Sequence, residues 1–258
     1  MRLIALFRCL CFIIPAMVPF ASARGGELSI AAAADLTWCL EELDGAFQKN
    51  HPDATLKTAV GSSGNFSAQI ANGAPFEVFL SADISYPQEL VKSGFANPAS
   101  LTRYAVGRIV LWTTVEKLDT SSGLEILRDP AVVKKLAIAN PEHAPYGRAA
   151  KAALEHYGLW KSLEVRIVMG ENISQTAQFV QTGNADAGIV ALSLVLSPKL
   201  AGVGHYNVIP EEAYPPLDQA AVLTNAGMAN PLAKSYMEFL RSDEARKIFD
   251  RYGFRLGK

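Results

Sequence analysis

Cysteine is nearly absent from this sequence, with three residues in 258, at positions 9, 11 and 39. Cys9 and Cys11 lie in an apolar N-terminal leader, and the residues before them lack the small-residue box that precedes a lipidated cysteine. Cys39 is then the single thiol of the folded chain, which excludes an internal disulfide, and its place on an apolar helix face reads as core packing. Histidine is scarce too, and the four present fit no metal-ligating spacing. Charge of one sign is not in excess: 24 basic residues stand against 25 acidic ones. That balance excludes the basic field that nucleic acid or an anionic membrane requires. Beyond the leader no apolar run approaches the roughly 20 residues of a membrane span. A nucleophile elbow is also missing, because Gly61-Ser62-Ser63-Gly64 does not have the G-x-S-x-G order. A hydrolase is therefore the remote alternative, and a non-enzymatic binder without a cofactor is the expectation. No internal repeat or low-complexity segment is present.

What is there begins with the leader. Arg2 and Arg8 flank an apolar run from Cys9 to Phe20, and Ala21-Ser22-Ala23 supplies a small-residue cleavage pattern. Residues 1–23 read as a secretory signal peptide cleaved near Ala23, which marks the mature chain for export. Its removal leaves 22 basic against 25 acidic residues, a net charge of −3. A mature chain of about 235 residues suits one large domain or two ordinary ones.

Short apolar strands then alternate with helices. Leu28–Ala34 reads as a buried strand, followed by a helix with Leu36, Leu40, Leu43 and Phe47 on one face. Thr55–Ala59 is the next strand, and a helix follows from Phe66. The turn between them is Val60-Gly61-Ser62-Ser63-Gly64-Asn65. Its glycines permit a tight turn, its hydroxyls donate, and the following helix opens with unpaired N–H groups, so the turn reads as an anion seat. Ser63 as a simple helix cap is the structural alternative. Glu77–Ser81 forms a third strand and a helix toward Gly94 follows.

Tyr104–Trp112 reads as one long strand and Lys135–Ala139 as another. The loop Asn140–Gly147 then delivers Tyr146 to the mouth of a helix over 148–156. Arg166–Met169 is a strand whose turn into the helix 174–181 leaves backbone N–H groups around Ile173. Ala185–Leu192 is a buried strand, 206–217 is irregular, Gln219–Leu223 is strand-like, and two helices close the chain. Alternation of this kind predicts parallel sheets covered by helices. The order predicts an α/β protein of two lobes, each a mostly parallel sheet flanked by helices, joined by two hinge strands near Arg103–Arg108 and Ala213–Leu223. The expected division is residues 24–105 plus 218–258 in one lobe and 106–217 in the other. Ligands of such sheets bind at the carboxyl ends of the strands, in the cleft the lobes share.

The segments AAAADL, VGSSGN, NGAPFEVFLSAD, NPEHAPYG, GENISQT and IFDRYGF, in that order over essentially the whole mature chain, resemble the periplasmic molybdate-binding proteins of molybdate ABC transporters, a family of type-II solute-binding proteins. The resemblance implies the type-II periplasmic-binding-protein fold and molybdate, or tungstate, as ligand. It implies a monomer that delivers this small oxyanion to a membrane permease and its ATPase. The alternative is another tetrahedral oxyanion, sulfate or a protonated phosphate. Carried over motif by motif, the contacts fall at Ala34 and Asp35, at Ser62 and Ser63, at Tyr146, and at the backbone of Ile173. Molybdenum is bound only as its oxyanion, and no residue is a metal ligand.

Two positions depart from the family's commonest pattern. Many members have Ser, and others Asn, where this chain has Asp35. Many place a Tyr just after the GIV strand, where this chain has Ala191, whereas the branch with Tyr in the APYG loop resembles this sequence at Tyr146. An ionised Asp35 beside a dianion would be repelled by about 4 kcal/mol per unit pair at 4 Å and an effective dielectric near 20. The expectation is that Asp35 turns back to cap its own helix at the N–H of Thr37 or Trp38. The alternative is that it accepts a proton-bearing ligand oxygen.

Overall fold

A computed structural model describes residues 26–256, and the expected signal peptide lies outside them. The first strands and helices are β1 (Glu27–Ala33), α1 (Thr37–Asn50), β2 (Thr55–Gly61), α2 (Ser63–Ala71), β3 (Val78–Ser81), α3 (Ser85–Lys92) and β4 (Thr102–Gly107). A second group follows: β5 (Ile109–Thr113), β6 (Leu136–Ala139), α4 (Pro145–His156), α5 (Trp160–Leu163), β7 (Ile167–Gly170), α6 (Ile173–Gln181), β8 (Ala187–Ala191), α7 (Leu192–Val195) and β9 (His205–Val208). The chain closes with β10 (Leu217–Leu223), α8 (Pro231–Phe239) and α9 (Asp243–Arg251).

Two five-stranded sheets result, ordered β2-β1-β3-β10-β4 and β7-β6-β8-β5-β9. In the first, β1, β2 and β3 run parallel and only β10 is reversed, pairing antiparallel with β3 and β4. The second repeats the plan with β5 as its one reversed strand. Each sheet is thus mostly parallel, as the alternating pattern predicts. The central strands are apolar on both faces because helices cover both sides. Phe47, Leu43, Tyr236 and Phe249 fill one side of the first sheet, and Phe66, Ile70 and Leu90 the other. Trp112, Ile138, Leu154 and Ile189 belong to the core of the second.

The run from Tyr104 to Trp112 is two strands rather than one. It breaks at Arg108, with β4 in the first sheet and β5 in the second. Gly107 stands at the break because a Cβ there would fall on the Tyr146 hydroxyl. Arg108 is tied back by Nε and Nη2 donating to the Gly253 carbonyl at 3.0 and 2.8 Å. The second crossing is the segment 209–216, since all of β10 belongs to the first sheet. The irregular reading of 206–217 also requires correction: it misses β9, an exposed edge strand with no apolar alternation to mark it.

Candidate functional site

Three helices begin at one small cavity between the sheets. Its walls include Ala34, Asp35, Ser62, Ser63, Tyr146 and Ile173, all six of the residues expected from sequence. Counting its open mouth, the cavity is about 190 Å³. Even with that open space counted it falls below the roughly 300–1,000 Å³ of pockets for drug-sized ligands, and the enclosed part is only about 10 Å³, so a solute of a few heavy atoms is the most it holds.

The backbone supplies donors by subtraction. The first N–H groups of a helix have no carbonyl one turn earlier. In α2, the N–H of Gly64 donates to His143 O, that of Asn65 to Ser62 Oγ, and that of Phe66 to Ser62 O, which leaves Ser63. In α4, Gly147 and Arg148 both donate to Ala144 O, and Pro145 has no N–H, which leaves Tyr146. In α6, Gln175 donates to Asn172 Oδ1 and Thr176 to Asn172 O, which leaves Ile173 and Ser174. Three positive helix ends with free N–H groups thus meet at one point, the arrangement that attracts an anion.

The hydroxyls divide the work differently from the expectation. Ser62, not Ser63, is the N-cap of α2, which starts at Ser63 rather than Phe66. Ser62 Oγ also lies 3.0 Å from His143 Nδ1. Ser63 Oγ accepts from the Ala82 N–H at 3.0 Å, so its own hydrogen remains for a ligand. Tyr146 is buried, and its hydroxyl donates to Asp35 Oδ2 at 2.9 Å. Its phenolic proton is therefore engaged by the protein, while its backbone N–H has no acceptor among the described residues.

Asp35 does not cap its helix, which corrects the expectation from sequence. Neither Thr37 nor Trp38 donates to it, and the N-cap of α1 is Leu36, without a side-chain bond. Asp35 sits instead in a one-turn 3₁₀ segment, Ala34–Leu36, too short to offer a cappable turn. Its Oδ2 accepts from both Tyr146 Oη and Gln219 Nε2, the latter at 2.7 Å, and its backbone carbonyl accepts from Ser193 Oγ at 2.7 Å. Its Oδ1 is buried without a hydrogen-bond partner. Desolvation pushes the carboxyl up from 3.8 to about 6, although the bonds from Tyr146 and Gln219 and its own nearby backbone N–H pull it down.

The cost of ionising Asp35 in the fold is on the order of 3 kcal/mol. Because the folded-state pKa is raised, this cost is present above about pH 6 and vanishes below about pH 4, where both states are protonated. Asp35→Asn keeps an acceptor for Tyr146 and Gln219 and never ionises. We expect it to raise the melting temperature of the unliganded protein at pH 7.5 by roughly 5–10 °C, the gain shrinking toward pH 4. Scanning calorimetry at the two pH values checks this.

Further bonds span the cleft. Besides Gly64 to His143, Asn65 Nδ2 donates to Glu171 Oε1 at 2.7 Å, and Arg148 donates to Asp83 Oδ2 at 2.6 Å and to Tyr86 Oη at 2.7 Å. Sequence reasoning passed over Gln219, Gly64 and Arg148. Gln219 alone carried a signal, as an amide inside an otherwise apolar strand.

Two helix-flanked sheets closing on a small donor-rich cleft define a two-lobed solute-binding protein. The chain belongs to the family described as bacterial extracellular solute-binding protein, matched over residues 28–255. It is 40% identical over 232 residues to the molybdate-binding protein ModA of Rhodobacter capsulatus, covering 90% of this chain and 89% of that one. It is 38% identical over 236 residues to the Azotobacter vinelandii molybdate-binding protein ModA, covering 91% and 92%. The solved structure of the Azotobacter vinelandii periplasmic molybdate-binding protein superposes with a TM-score of 0.85 at 34% identity, covering 90% of this chain and all of that one. These relatives are solute-binding proteins, and this chain likewise is a binder and not an enzyme. No cluster of three or more His, Cys, Asp or Glu suited to a metal ion occurs among the described residues.

Proposed function

We propose that the chain captures molybdate in the cleft and delivers it to the membrane permease and ATPase of an ABC importer. The observation that carries this reading is the convergence of three helix starts, with unpaired N–H groups at Ser63, Tyr146 and Ile173, on a cavity sized for a few-atom anion. The names of the relatives support molybdate as that anion. Ser63 Oγ, and Ser62 Oγ according to the His143 tautomer, add hydroxyl donors, and Ala34 lines the wall. Asp35 is the acidic member of the set. Tungstate, a dianion of the same shape, fits the same donors. Closure brings residues 26–107 and 217–256 against 109–208, with the hinges at Arg108 and 209–216, which moves the expected boundaries at 105/106 and 217/218 to the end of β4 and the start of β10. The chain works as a monomer in the periplasm, after cleavage of residues 1–23.

A ligand bound only by the native state stabilises it by RT ln(1 + [L]/Kd). Molybdate at 100 times its Kd is therefore expected to add about 2.7 kcal/mol, roughly 5–11 °C in a domain of this size. Titration calorimetry with molybdate, tungstate, sulfate and phosphate ranks the ligands. Failure of millimolar molybdate to bind or to shift the melting temperature refutes the assignment.

A further inference from the structure

The cavity has a carboxylic acid in its wall where an anion is to sit, and its lining residues include no Lys or Arg. Oδ2 of Asp35 is saturated by Tyr146 and Gln219, whereas Oδ1 is buried with no partner. Asp35 is 1% exposed and lines the cavity. An ionised carboxylate with one oxygen unpaired is the costliest state for this position, and an approaching dianion raises the cost further. A carboxylic acid protonated on Oδ1 resolves both problems, since Oδ2 then serves as a carbonyl-like acceptor for two donors and Oδ1 becomes a donor itself.

We propose that Asp35 receives the oxyanion as a neutral acid, donating from Oδ1–H to a ligand oxygen, so that one proton is taken up from solvent with each dianion. This inference rests on the proposed oxyanion site and adds to it a proton-linked specificity residue. The groups facing Asp35 are consistent with it. They are the Cys39 thiol on α1, Tyr104 on β4 and Tyr146 on α4, all held neutral by burial, which raises each of them. His143, whose Nδ1 lies 3.0 Å from Ser62 Oγ, and Glu171, 3.5 Å from His143 Nε2, are ionisable groups further out. In the unliganded protein burial pushes the Asp35 carboxyl up to about 6. Bound dianion raises that further, so affinity weakens as pH climbs between the two values.

The proton linkage predicts a Kd for molybdate that rises about tenfold per pH unit from pH 6.5 to 8.5, where the ligand stays a dianion. Calorimetry in buffers of different ionisation enthalpy should find close to one proton taken up per molybdate at pH 7.5. Asp35→Asn retains a donor as Nδ2–H and should bind with a flat pH profile and no proton uptake. Tyr146→Phe removes a bond that favours the ionised form, and so should move the midpoint of the profile upward. His143→Gln should leave slope and uptake in place. Tight binding by the parent with a flat profile and no proton uptake would overturn this inference while sparing the site. Retention of the slope by Asp35→Asn, or its loss in His143→Gln, would overturn it as well. No molybdate binding by the parent at any pH would refute the site assignment, and this inference with it.

Discussion

Gly64→Ala is expected to hold the cleft open and to weaken molybdate binding on the order of 10- to 1,000-fold. A Cβ at this position would stand 2.6 Å from the His143 carbonyl oxygen and 2.8 Å from Tyr86 Oη. The carbonyl is backbone from the opposite side of the cleft and accepts the Gly64 N–H at 3.0 Å, so the two surfaces must separate to admit a methyl group. Losing that bond costs about 0.5–1.5 kcal/mol and overpacking adds about 1–3 kcal/mol, which together set the fold-change. Gly64 lies in the first turn of α2, where alanine suits the backbone, so each half should fold as before. The signature is a large affinity loss with a melting temperature of the unliganded protein changed by only a few degrees. Small-angle scattering should show that molybdate compacts the parent but not the variant. A variant with parental affinity would show that the Gly64–His143 contact does not gate closure.

Ser63→Ala should cost roughly 10- to 150-fold in affinity by a different route. The hydroxyl oxygen already accepts from Ala82 N–H, and its hydrogen is left for the ligand. A hydrogen bond to a charged group contributes about 1.5–3 kcal/mol, and a desolvated dianion leaves no water to replace it. Removal of the hydroxyl also strands the Ala82 N–H, which should lower stability by about 1–3 kcal/mol. Ser63→Thr tests the same bond with the donor retained. Titration calorimetry separates the effects: the affinity loss should fall on molybdate, tungstate and sulfate alike, because the donor reads charge and not size. Equal binding by Ser63→Ala and the parent would remove Ser63 from the site.

The alternation of apolar strands with amphipathic helices follows from local patterning, and it was readable wherever a strand was buried. Val78–Ser81, Leu136–Ala139 and Ala187–Ala191 carry no polar residue on either face until the last position. Edge strand β9 escaped because solvent imposes no pattern on it. The break at Arg108 escaped because β4 and β5 are each apolar and abut, and nothing local tells the chain that it changes sheets. The strand-to-helix junctions are legible through their Gly-Ser and Pro-Tyr turns, but the helices start at Ser63, Pro145 and Ile173, one to three residues before the sequence pattern places them.

Asp35 marks the boundary between the two kinds of information. Its residue type and its place after a buried strand are written in the sequence, and by local rules alone an aspartate there caps a helix. Its actual partners, Tyr146 and Gln219, are 111 and 184 residues away. Gln219 reaches the carboxylate through β10 of the same sheet as β1, Tyr146 reaches it from α4 of the second half, and their packing together shuts water out of it. That helices open after the turns at 60–65, 140–147 and 170–173, and that an anion is drawn to such starts, follows from a few consecutive residues, whereas which N–H groups stay unpaired there depends also on contacts such as Gly64 N–H to His143 O. Tertiary structure decided which oxygen of Asp35 is satisfied, which is left unpaired, and hence which protonation state the site favours. Desolvation is set by everything packed around a group, and no stretch of neighbouring residues specifies it.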